Sequence, residues 1–250
     1  MGGLLEVSDL SLNFGGITAL EGVSLSVAEG ETFAVIGPNG SGKTSLFNCI
    51  TGIYEPTAGS AAFRGESLLG CAPDAITQRG IARTFQNLRL FHNMSVLDNL
   101  MVGRHLHFAK NLVAAALRLR GEEVRHRSRC EEIIEFLNLE PVRKSRVGDC
   151  PYGVQKRIEL GRALATEPKL LLLDEPVSGL TQEEKEEFGY WVHEIRGRFG
   201  ITVLFVEHDL RFASRLADRM VALDHGEKIA EGTPAEVQRH PEVIKAYLGE

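Results

Sequence analysis

Residues 37–44 read Gly37-Pro38-Asn39-Gly40-Ser41-Gly42-Lys43-Thr44. This is the G-x-x-x-x-G-K-[ST] spacing that cradles phosphate. Its glycines let backbone N–H groups turn inward around anionic oxygens. Lys43 can reach the β- and γ-phosphates of a nucleoside triphosphate, and the Thr44 hydroxyl can ligate Mg²⁺. A buried strand is expected over residues 32–36. A helix is expected from Ser45, over residues 45–51, and its N-terminus adds positive potential. That strand–loop–helix order separates the motif from a glycine-rich turn.

A second constellation lies at Leu170-Leu171-Leu172-Leu173-Asp174-Glu175-Pro176. Four apolar residues read as a central strand. Two carboxylates at its end land beside the phosphate loop, because ligand sites of parallel sheets lie at the strands' carboxyl ends. Asp174 is then placed to hold Mg²⁺, and Glu175 to polarise an attacking water. Without the loop, the same residues would read as an ordinary strand end with exposed acids. Three further residues are weak signals one at a time. They are Phe14 before Gly15-Gly16, Gln86 in Arg83-Thr84-Phe85-Gln86-Asn87, and His208 in Val206-Glu207-His208-Asp209. Phe14 alone fits a core, and His208 alone fits a helix cap.

The order of phosphate loop, Asp174-Glu175 and a histidine after the next strand resembles the ATP-binding cassette (ABC) ATPases, over nearly the whole chain. The resemblance implies roles for the isolated residues. Gln86 would be the glutamine of a loop that contacts Mg²⁺ and touches a membrane partner. His208 would sense the γ-phosphate, and Phe14 would stack on adenine. The segment Cys150-Pro151-Tyr152-Gly153-Val154-Gln155-Lys156-Arg157 aligns with the family signature, usually L-S-G-G-Q. In the family this signature closes over ATP held by the opposite subunit. Pro151, Tyr152, Gly153, Val154 and Gln155 therefore join the expected nucleotide site. Pro151 stands where the family has a serine, Cys150 replaces leucine, and Val154 replaces the first glutamine. Ser178-Gly179-Leu180-Thr181 aligns with the family's D-loop, with Thr181 at the usual aspartate. Thr181-x-x-Glu184 also reads as a helix capping box.

The Pro-Tyr-Gly-Val-Gln signature, a basic helical insert and the ending Val243-Ile244-Lys245-Ala246-Tyr247-Leu248-Gly249 resemble one branch. It is the ATP-binding subunits of bacterial branched-chain amino acid importers. The implied protein is an ATPase using ATP and Mg²⁺ to drive an integral-membrane permease. Its implied partners are a second ATP-binding subunit, identical or related, and indirectly a periplasmic binding protein. Its implied place is the cytoplasmic face of the bacterial inner membrane. Docking is expected from Gln86 to His92, where Arg89, Leu90 and Phe91 read as an exposed apolar and cationic mix. The alternatives are an ABC ATPase serving another amino acid or amide, urea or a lipid, or a non-transport ABC ATPase acting on DNA or ribosomes. Non-transport relatives carry two cassettes or long coiled-coil arms; this chain has one phosphate loop and no sustained heptads.

The elements that must position these residues follow from pattern. The expected fold is α/β: a P-loop NTPase (RecA-like) core, an antiparallel β subdomain over about 1–30 and 59–65, and a helical subdomain over about 90–165. Together they make one ABC ATPase domain over residues 1–250. Polar–apolar alternation in the first thirty residues argues half-buried antiparallel strands. Helical periodicity runs over residues 95–139, with a separate amphipathic helix at 131–139. Arg118, Arg120, Arg125, Arg127 and Arg129 make this stretch basic, a solvated face broken by Glu122 and Glu123. Strands are expected at 170–173, 201–206 and 220–223, separated by helices at 183–199 and 210–217. Strand alternating with helix implies a parallel sheet covered on both faces. His225-Gly226 is a turn into a terminal hairpin.

Composition narrows the field. The 250-residue chain carries a net charge of −6, which argues against an electrostatic nucleic-acid binder. No apolar run approaches the roughly 18 residues of a membrane span, the closest being 112–117. Met1-Gly2-Gly3 leads into a strand without a signal sequence, and Glu6 spoils a myristoylation motif at Gly2. Cys49, Cys71, Cys130 and Cys150 are scattered, which points to a reduced, cytosolic setting. His105-x-His107 reads as solvated surface, because no partner ligands are spaced for zinc.

Overall fold

The computed structural model describes residues 3–86, 88–107 and 112–248, with the backbone alone for 112–120. The leader reading at Met1-Gly2, Asn87, Gly249, the side chains of the apolar run 112–117, and those of Arg118 and Arg120 lie outside the described residues.

The amino-terminal alternation produces strands β1 (Leu5–Phe14) and β2 (Ile17–Val27), which pair antiparallel from Leu5↔Val27 to Phe14↔Ile17. Next come β3 (Thr32–Ile36), helix α1 (Lys43–Ile50), β4 (Ala58–Phe63) and β5 (Glu66–Ser67). β4 adds antiparallel to β1, giving a sheet in the order β2-β1-β4-β5. α1 starts at Lys43, two residues before the expected helix.

Two short elements follow, α2 (Pro73–Gln78) and β6 (Ile81–Arg83). Then follow α3 (Val96–Gly103), capped by Ser95, and α4 (Leu112–Phe136). Residues 131–136 are the end of α4, not a separate helix, since nothing between Gly121 and Phe136 breaks it. α5 (Tyr152–Leu164) closes this helical layer.

The remaining elements are β7 (Leu170–Asp174), α6 (Gln182–Phe199), β8 (Thr202–Glu207), α7 (Leu210–Leu216), β9 (Arg219–Asp224), β10 (Glu227–Gly232), α8 (Pro234–Arg239) and α9 (Pro241–Leu248). The second sheet runs β10-β9-β3-β8-β7-β6. All its described pairings are parallel except the β9–β10 hairpin.

A period of two divides each central strand between two cores. Phe33, Val35, Leu170, Leu172, Leu204 and Val206 pack with α1 and the antiparallel sheet. Ala34, Ile36, Leu171, Leu173, Val203 and Phe205 pack with α3, α5 and α6 on the other face. The sheet is therefore packed on both faces, and the site lies at its carboxyl edge.

Candidate functional site

The loop between β3 and α1 is built on left-handed glycines. Gly40 has φ 82° and Gly42 has φ 101°. A Cβ on Gly42 would also press on the Ala19 carbonyl of β2, so the first sheet and the loop approach backbone to backbone. Lys43, at the start of α1, is buried and donates to the carbonyls of Gly37 (2.8 Å) and Pro38 (2.7 Å). Burial lowers the Lys43 pKa, and Glu175, Asp174 and Glu207 oppose that shift. Thr44 and Ser45 follow on the first turn of α1, with Thr44 exposed. Glu242, Lys245 and Ala246 of α9 border the loop together with Pro38, Asn39, Gly40 and Ser41.

β7 lies beside β8, which lies beside β3, so its end faces the loop. Asp174 is 2% exposed, and its Oδ2 accepts from Arg83 Nη2 at 2.7 Å. Its Oδ1 is buried without a hydrogen-bond partner. Glu175 is buried with φ 45°, a left-handed conformation unusual outside glycine, and its N–H donates to Val206 O. Gln86 Nε2 donates to Glu175 Oε2 at 2.9 Å. His208 Nδ1 stands 3.9 Å from Glu175 Oε1. The structure thus gathers Lys43, Gln86, Asp174, Glu175 and His208 in one cluster.

Among the described residues, no hydrogen bond joins residues 151–155 to residues 37–45. Pro151 is the N-cap of α5, so Tyr152, Gly153 and Val154 form its first turn, and Gln155 Nε2 bonds back to Cys150 O. Tyr152 OH reaches Ser178 O at 3.4 Å and its ring lies against Gly179. A Cβ on Gly153 would collide with the Glu184 carboxylate. Thr181 and Glu184 do form the capping box that starts α6.

Several residues escaped the sequence. Arg83, 6% exposed in its side chain, also donates to Asn48 Oδ1 on α1 and to Oγ1 of Thr51, which caps that helix, and lies between the rings of Phe47 and Phe85. Its only sequence signal was a cation three residues before Gln86. Glu207 is fully buried, accepts from Val177 and His208 N–H groups, and has a pKa raised by burial. Phe14 is 46% exposed, which rules out the core reading, and it meets Tyr54 edge-on with centroids 5.1 Å apart. One expectation needs correction. Leu90 is 8% exposed and joins the helical core, so only Arg89 and Phe91 of that trio face solvent. A mainly apolar groove of about 420 Å³ opens nearby, lined by Phe85, Val102, Leu106 and Arg162 among others.

A phosphate loop entering a helix, with paired carboxylates on a neighbouring parallel strand, defines a P-loop nucleoside-triphosphate hydrolase. A family model described as ABC transporter matches residues 20–178, and one described as branched-chain amino acid ATP-binding cassette transporter matches residues 227–250. The chain belongs to the ABC transporter ATP-binding proteins and is an ATPase of that family. It is 39% identical to the high-affinity branched-chain amino acid transport ATP-binding protein BraF of Pseudomonas aeruginosa, over 99% of this chain and 98% of that one. It is 36% identical to the corresponding LivG of Escherichia coli K12, with the same coverage. Among solved structures, the ADP conformation of the ATP-binding cassette MJ1267 superposes with a TM-score of 0.88 at 32% identity, covering both chains fully. The cassette MJ0796, a dimer in a post-hydrolysis state with ADP and phosphate, gives 0.79 at 26% identity over 92% of this chain and 98% of that one.

Proposed function

We propose that this chain hydrolyses ATP to power a separate permease importing branched-chain amino acids. The observation that carries the catalytic part is the convergence of Gln86 and His208 on the Glu175 carboxylate, in a cluster with Lys43. The cargo rests on full-length similarity to BraF and LivG.

Lys43 and the loop amides hold the phosphates. A Mg²⁺ ion fits the donor set, because Asp174 Oδ1 is buried without a partner and carboxylate and hydroxyl oxygens are what Mg²⁺ prefers. Thr44 and Asp174, with Gln86, would hold the ion, which when bound neutralises developing phosphate charge. Glu175 orients and deprotonates the attacking water, while Gln86 donates to one oxygen of the Glu175 carboxylate and His208 faces the other. Residues Pro151 to Gln155 complete the nucleotide site of a second ATP-binding subunit through the N-terminus of α5.

Phe14 stacks on the adenine, aided by Tyr54. Phe14→Ala is expected to weaken ATP binding by about 1–3 kcal/mol, the range for base–aromatic stacking. Turnover at saturating ATP should stay close to that of the unaltered chain. Nucleotide titration checks this, and an unchanged affinity would remove the stacking role.

No described helix is long and apolar enough to cross a membrane. Attachment to the cytoplasmic face of the inner membrane therefore comes through the permease, which docks on Phe91 and the apolar groove beside Phe85 and Val102. A periplasmic binding protein delivers the cargo on the other side. The test is uptake of labelled leucine, isoleucine and valine in cells lacking this gene and any redundant importer. Uptake should be lost and restored by the intact gene. Normal uptake in the deletion strain would remove the cargo assignment and leave the ATPase standing.

A further inference from the structure

We infer that Glu159 is a positioning residue for hydrolysis: from α5 it grips the backbone of the glutamine loop and so presents Gln86 to Glu175. Glu159 is 2% exposed, an unusual place for a carboxylate. Its Oε1 faces two backbone N–H groups, Phe85 at 3.4 Å and Arg89 at 3.5 Å. These residues bracket Gln86. Arg162, three residues on and on the same face of α5, donates to Arg89 O. One helix face therefore holds both the N–H and the carbonyl of Arg89.

A carboxylate suits this place because buried backbone N–H groups need an acceptor. Lys156, 3% exposed and three residues before Glu159, supplies the balancing charge. Burial raises the Glu159 pKa, and Lys156 with the Phe85 and Arg89 amides opposes that shift. Gln86 itself is exposed, and its described side-chain contact is the bond to Glu175. Its aim depends on where the loop backbone is held. The same helix begins with the signature at Tyr152, about 10 Å from Glu159 at 1.5 Å per residue. Any shift of the signature when a second subunit closes is carried by a rigid rod to the loop holding Gln86.

The inference rests on the reading that Gln86 serves hydrolysis. The experiment compares the full chain with Glu159→Ala, Glu159→Gln, Gln86→Ala and the double variant Glu159→Ala/Gln86→Ala. It reads kcat, KM for ATP and amide hydrogen exchange of residues 84–90. Glu159→Ala should lower kcat about 10–100-fold, as misplacement of a catalytic group does, and leave KM within about twofold, since no phosphate contact is lost. Glu159→Gln, which keeps an acceptor, should recover most of the rate. In the Gln86→Ala background the second substitution should cost nothing more, because both act through one contact. Exchange at Phe85 and Arg89 should quicken in Glu159→Ala. If Glu159→Ala does not fold, Glu159→Met with Lys156→Met removes the charges together and serves the same comparison. Unchanged kcat in Glu159→Ala beside a slow Gln86→Ala, or losses that multiply in the double variant, would overturn the inference alone. Normal turnover in Gln86→Ala would overturn the reading of Gln86 and this inference with it.

Discussion

Glu175→Gln is expected to bind ATP as tightly as the unaltered chain and to hydrolyse it about 10²–10⁴-fold more slowly, the span lost with a general base. The substitution keeps the shape of the side chain and an oxygen for Gln86 Nε2. On the proposed reading it removes the basicity that would draw a proton from water. Binding should survive because Lys43 and the loop amides are untouched. The backbone at this position is set by the strand ends, through the Glu175 N–H to Val206 O bond, and does not depend on the carboxylate. Phosphate release and nucleotide binding measured on the same preparation separate the two effects. Lys43→Ala gives the opposite pattern, with binding itself weakened. Undiminished turnover in Glu175→Gln would mean that another group activates the water, and buried Glu207 next to His208 would be the first to examine.

Arg83→Met should cost about 3–5 kcal/mol of folding stability, the penalty for breaking a buried ion pair from one side. Both partners are buried, with side chains 6% and 2% exposed. Loss of the guanidinium leaves Asp174 with both oxygens unpartnered and deprives Asn48 and Thr51 of their donor. Methionine fills much of the slot between Phe47 and Phe85, so the loss is mainly electrostatic. Denaturant unfolding gives the value. A cost below about 1 kcal/mol, the level of a surface pair, would show that water reaches the site. Arg83 ties β6, β7 and α1 together, so the fold and the placement of Asp174 share one bond network.

The phosphate loop and the carboxylate pair were legible because their determinants are local. A phosphate loop needs glycines and a lysine within eight residues, and a strand ending in Asp174-Glu175 declares itself by apolar run and charge. Buried parallel strands β7, β8 and β9 were legible for the same reason. What stayed hidden was short or distant in sequence. β6 spans Ile81–Arg83 and α2 spans Pro73–Gln78, too few residues to show a period. Arg83 and Asp174 are 91 positions apart, and nothing in either segment announces the other. Leu90 was misjudged because the expected docking surface placed it outside with Arg89 and Phe91, whereas the structure turns it into the core of the helical layer. Glu159 sits in a helix whose charges all look solvated in one dimension. Folding sorts that helix into a buried clamp and an exposed face.

The proposed shared nucleotide site is tested most directly by sedimentation of the Glu175→Gln chain with and without ATP and Mg²⁺. Within one copy no described hydrogen bond joins the signature at residues 151–155 to the phosphate loop at 37–45, and on the proposed reading two copies enclose two ATP molecules between them. The expected result is a monomer without nucleotide and a stable dimer carrying one ATP per chain when it is supplied. A chain that stays monomeric at every concentration while saturated with ATP would contradict it.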